Sequence, residues 1–194
     1  MRNIFLLVLI AVCVSCGEDP VPKPKAFLRL DYPAHKYQKF QPQLPFTFEK
    51  NELASVISDL KVSRDGKTQG IDITYPPLKG TIYLTYKKVD NNLEEYLIDA
   101  QNLTQKHSQR ADEITEQPFL DEESKVFGMF YEVGGNAASQ SQFYVTDSVN
   151  HFVTGSLYFY AKPNYDSILP AAHYLKKDIQ HIMETIKWEN QTFK

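Results

Sequence analysis

An α+β domain, a mostly antiparallel sheet flanked by helices, is predicted by three features of the sequence. Val126 to Tyr160 holds three short runs of aromatic and β-branched residues broken by Gly, Asn, Ser and Asp. Such side chains pack well on a pleated surface and such breakers supply turn geometry, so these runs read as consecutive strands. Thr81 to Lys87 sets Ile82, Leu84 and Tyr86 against Tyr83 and Thr85, the two-residue period of a half-buried strand. Two other stretches, up to about Ser108 and up to about Ile186, carry apolar residues at helical spacing instead. Hairpin-length connections outnumber helical crossovers, which favours antiparallel pairing.

The chain of 194 residues begins with a targeting segment, residues 1–15. Arg2 supplies its positive end and Ile4 to Val14 its apolar run, which is too short for a spanning helix of about 20 residues. Cys16 follows Ser15 and precedes Gly17, a pattern that resembles the lipobox of bacterial lipoproteins, in which the Cys becomes the acylated first residue. Cys13 departs from that pattern, since Leu is usual there; the alternative is plain secretory cleavage near Ser15. Both cysteines of the chain lie in this segment. The mature domain therefore has no thiol nucleophile, no thiolate metal site and no disulfide. Residues 16–26, with Pro20, Pro22 and Pro24 alternating, form an extended tether, and residues 27–194 form a single α+β domain. A net charge of −3, with paired lysines only at Lys87–Lys88 and Lys176–Lys177, gives nucleic acid no footing.

Within the domain, Ala26 to Leu30 is a weak strand, and Pro33, Pro42 and Pro45 break the next stretch into irregular pieces. Phe46 to Glu49, Ala54 to Leu60, Ile71 to Tyr75 and Thr81 to Lys87 come next as strands, with turns at Asp65-Gly66 and from Pro76 to Gly80. Asn91 or Asn92 caps the first helix, Glu94 and Glu95 suit its positive end, and Leu93, Tyr96, Leu97 and Ala100 form its apolar stripe. The last helix starts at Asp166 or Ser167 with Pro170 in its first turn. Ile168, Ala172, Leu175, Ile179, Ile182, Met183 and Ile186 form its stripe, and Trp188 plugs the core beyond it.

Site chemistry is sparse. Asp147, Ser148 and His151 bring an acid, a hydroxyl and an imidazole together, but in one tight turn, without the separate elements that hold a nucleophile and its base in line. Turn chemistry accounts for them: Asp147 or Ser148 accepts from backbone N–H groups just ahead. His107, His173 and His181 form no His-Glu-x-x-His pair, and Asp121 to Glu123 reads as a solvated acidic loop, so neither metal nor cofactor is expected. The connection Gly134 to Gln140 is built of small residues and reads as an exposed loop. Loops held by a rigid sheet are where binding tends to sit. Gly135, Asn136, Ser139 and Gln142, with the neighbouring turn residues Asp147, Ser148 and His151, are thus the candidate contact surface. Tyr158 and Tyr160 cannot share a face with Phe159, which leaves aromatic area for a partner to cover.

The order of elements resembles the Mog1/PsbP-like α-β-α sandwich, with helices on both faces of the sheet. A more specific resemblance rests on Gly135-Asn136-Ala137-Ala138-Ser139, Gln142-Phe143, Thr146-Asp147-Ser148, His151-Phe152, Gly155-Ser156-Leu157-Tyr158-Phe159, Pro163-Asn164 and Asp166-Ser167. Leu28-Arg29-Leu30, Tyr37-Gln38-Lys39-Phe40 and Thr81 to Tyr86 extend it. These look like the signature of the gliding motility-associated lipoprotein GldD family of Bacteroidetes, over nearly the whole mature chain. Val153-Thr154 departs from it, where Leu-Arg is usual. The resemblance implies a membrane-anchored lipoprotein of the cell envelope, facing the periplasm, required for gliding motility, linked to type IX secretion and without catalytic activity. Its partners would be other gliding and secretion envelope proteins, and the membrane through the lipid on Cys16. A small-ligand module with a closed apolar pocket under the Gly134 to Gln140 loop, and a hydrolase using Ser148 and His151, are the alternatives.

Overall fold

Burial of alternating side chains on two faces of one antiparallel sheet organises the molecule, in a computed structural model that describes residues 30–106, 111–160 and 165–189. Its strands are β1 (Tyr37–Phe40), β2 (Phe46–Asn51), β3 (Val56–Ile57), β4 (Lys61–Val62), β5 (Thr68–Tyr75), β6 (Gly80–Lys88), β7 (Ala111–Asp121), β8 (Val126–Gly135), β9 (Ser139–Thr146), β10 (His151–Phe159) and β11 (Lys187–Trp188). Its helices are α1 (Leu93–Gln105) and α2 (Tyr165–Glu184). The eight-stranded sheet runs β3-β5-β6-β10-β9-β8-β7, with β4 also on β5, and β1-β2-β11 make a separate three-stranded sheet. Every pairing in both sheets is antiparallel.

The three strands read from Val126 to Tyr160 pair in sequence, and β10 closes back onto β6, which places β10 near the middle of the sheet. Ile71, Ile73, Ile82, Leu84, Phe130, Phe143, Val145, Val153 and Leu157 fill one face, under Leu175, Ile179 and Ile182 of α2 and beside Phe46 and Phe48 of β2. Leu175, Ile179 and Ile182 are wholly buried, each worth roughly 1.5–3 kcal/mol relative to exposure. The opposite face carries a smaller cluster in which Phe152 and Tyr144 meet Tyr96, Leu93, Leu97 and Ala100 of α1. The two helices thus lie on opposite faces, as strand alternation requires of neighbours such as Phe152 and Val153. Gly155 lets the Phe143 ring lie flat on β10: a Cβ there would stand 2.1 Å from Phe143 Cε1.

Several expectations need correction. The stretch Ala54 to Leu60 yields only Val56–Ile57 as strand, and two segments read as irregular or left unassigned form strands, β1 and β7. The β7 strand is an edge, where one side faces solvent and Pro118 is tolerated for want of an outer partner. The connection read as Gly134 to Gln140 is only residues 136–138, because β8 and β9 extend to Gly135 and from Ser139. Pro170 falls in the second turn of α2, where it forgoes one i−4 hydrogen bond. Asn92 is the N-cap of α1 by position but makes no side-chain cap bond; its Oδ1 accepts the Asp90 N–H at 2.8 Å. Trp188 belongs to β11 and is half-buried against Phe46. Tyr160 is exposed, with its hydroxyl 2.6 Å from that of Tyr83. Residues 1–29, including Cys16, the tether and most of the strand expected at Ala26 to Leu30, lie outside the described residues, as does His107.

Candidate functional site

The candidate residues fall into two groups, at opposite ends of β9. Thr146 pairs with Phe152 at one end and Ser139 with Tyr158 near the other. At the starting end, Ser139 is wholly buried, Gln142 is 3% exposed and Gly135 is buried at φ 87°. A Cβ on Gly135 would lie 2.8 Å from the Asp112 backbone nitrogen. Ser139 Oγ donates to the Ser141 carbonyl at 3.2 Å, and Gln142 Oε1 accepts from Thr104 Oγ1 of α1 at 3.4 Å. Asn136 alone of this group is exposed. The glycine and serine composition here serves close packing, so Gly135, Ser139 and Gln142 do not form the open surface expected of them.

At the finishing end the turn is held by its own acid. Asp147 Oδ1 accepts the backbone N–H of Val149 at 3.0 Å, Asn150 at 2.7 Å and His151 at 2.8 Å. Burial alone would raise this carboxyl, but the three backbone donors and the nearby His151 outweigh it and hold Asp147 below the ordinary carboxylate value. Thr146 Oγ1 donates to the His151 carbonyl at 2.6 Å, and Ser148 takes the left-handed conformation at φ 68° that such a tight turn needs. Ser148 is exposed, and among the described residues its hydroxyl makes no bond to His151. His151 faces inward: its Nδ1 lies 3.0 Å from Tyr86 Oη and its ring stacks on Trp188 at 5.1 Å. Burial, with the charge of Lys88, lowers the imidazole's affinity for a proton against the opposing pull of Asp147. Burial, then the Asp147 charge, pushes the Tyr86 phenol up to about 12. These three residues are brought together, as a structural turn and not as a nucleophile aligned with its base.

The same end of the sheet opens into a cleft of about 1600 Å³, bordered by the β1–β2 connection at Pro42 to Pro45, by Asp65 to Lys67, by Lys88 at the end of β6 with Asp90 and Asn92 beyond it, and by Glu123 to Lys125. Asp147, Asn150, His151 and Trp188 complete its lining. Trp188 is pinned by its Nε1, which donates to the Lys125 carbonyl at 2.9 Å. Asp121 closes the β7–β8 turn by accepting the Ser124 N–H at 3.0 Å. Among the described residues, no group of three or more His, Cys, Asp or Glu could hold a metal ion.

Sequence reasoning missed a second polar cluster, on α2. Asp178 is wholly buried, and its carboxylate accepts from His35 Nδ1 at 2.7 Å, from Tyr37 Oη at 3.0 Å and from Asn51 Nδ2 at 3.1 and 3.0 Å. Because a carboxylate only accepts, the His35 proton on this side is assigned to Nδ1. Burial first, and the Asp178 charge second, drive the Tyr37 phenol well above its usual range. Rings stack around it: His35 on Tyr174 at 4.1 Å and Tyr37 on His181 at 3.6 Å, with His181 Nε2 2.8 Å from Glu49 Oε2. His173, by contrast, points to solvent. The signal for this cluster was present in the helical pattern, since Asp178 stands four residues from Tyr174 and four from Ile182, on the buried stripe.

Comparison with known proteins adds one finding. A family model described as gliding motility lipoprotein GldD matches residues 17–188. No curated protein and no solved structure matches the chain.

Proposed function

The chain belongs to the gliding motility lipoprotein GldD family, and from that premise we propose that it faces the periplasm, serves type IX secretion as well as gliding, and acts by protein contact without catalysing a reaction. Its association with gliding motility and its place as a membrane-anchored lipoprotein of the envelope follow from the family. The observation that carries the finer reading is the cleft at the finishing end of β9. At about 1600 Å³ it exceeds the roughly 300–1,000 Å³ of small-molecule sites and fits a piece of another macromolecule. Catalysis is disfavoured because Asp147 is engaged by three backbone N–H groups and, among the described residues, no base contacts the Ser148 hydroxyl. The small-ligand alternative finds less support: the hollow under α1, beside Ala100, Thr104 and Gln142, measures about 10 Å³, room for about one water.

No helix among the described residues is long and apolar enough to cross a membrane, and we assign the attachment to acyl chains on Cys16, since two chains give stable anchoring. Complementation of a deletion strain tests both parts. Cys16→Ser should leave the membrane fraction and fail to restore gliding, whereas Ser148→Ala should restore gliding and secretion in full. Parental fractionation of Cys16→Ser would sink the anchor, and a well-folded Ser148→Ala protein without activity would bring the hydrolase back.

A further inference from the structure

We draw no further inference here: the strongest candidate, the aromatic patch on the α1 side of the sheet where the Tyr83 and Tyr158 rings meet at 5.7 Å and the Tyr83 and Tyr160 hydroxyls lie 2.6 Å apart, carries none because nothing in the structure shows what covers it.

Discussion

The two ends of β9 are alike in composition and opposite in use. Its start, with residues 136–138, is small and polar, yet Ser139 and Ser141 are at most 1% exposed. Its finish, at Asp147 to Asn150, is drawn from the same alphabet and stands at the rim of the cleft. Seven steps of about 3.3 Å put roughly 23 Å between its first and last residues. The difference shows that Gly, Asn and Ser mark two unlike situations. At Gly135 the missing Cβ lets the Asp112 backbone come within 2.8 Å of where it would stand; at Ser148 the same class of residue lets the chain reverse.

Substitutions sharpen this contrast, and the largest effect belongs at the starting end. Ser139→Arg would bury an unpaired charge at a wholly enclosed site and should cost about 4 kcal/mol, read by denaturant unfolding. A near-parental midpoint would mean that this end opens more freely than its packing implies. At the finishing end, Asp147→Ala removes the acceptor of three backbone N–H groups and should cost about 2 kcal/mol at neutral pH. The sign of its pH dependence comes from a native carboxyl held below its unfolded value. Its stabilisation is complete above an unfolded value of about 3.9 and is lost as pH falls through the lower native one. Acid titrations should therefore bring parent and Asp147→Ala closer together; a gap that stays constant to the acid limit would break the account of the turn. Val149→Lys, at a residue 66% exposed, should change stability by no more than about 0.5 kcal/mol, and a larger loss would show that the tip is less free than it looks.

How much of this was legible in the sequence depended on how local the physics was. The β6, β8, β9 and β10 strands announced themselves because one or both faces are buried and their apolar alternation is dense. The turn at Asp147 was equally legible, since its hydrogen bonds reach only two to four residues ahead. The β7 strand was not, because an edge strand whose Glu113, Glu116 and Leu120 face solvent has no reason to alternate, and Pro118 argues against a strand unless the edge is known. Asp178 was hidden beside Lys176 and Lys177, where a charged run reads as a solvated face. The cleft could not be read at all. It exists only because the ends of non-adjacent strands and the β1–β2 connection meet in space.

The bonds to Asp178 give the molecule a mechanical character. Under the attachment proposed at Cys16, relative motion of membrane and domain would reach the described residues as tension at residue 30, and among these β1 is the first strand on that path. Because β1 and β2 are antiparallel and joined at Gln41 to Pro45, such a pull would peel them apart like a zipper, starting at the rung Tyr37–Asn51. Hydrogen bonds loaded one after another resist weakly. Tyr37 and Asn51 are, however, the two residues that both bond Asp178, with His35 bonding it just ahead of them. The zipper is riveted at its open mouth, and force entering from the amino-terminal side would pass into the middle of α2 before the first rung of the hairpin bore it.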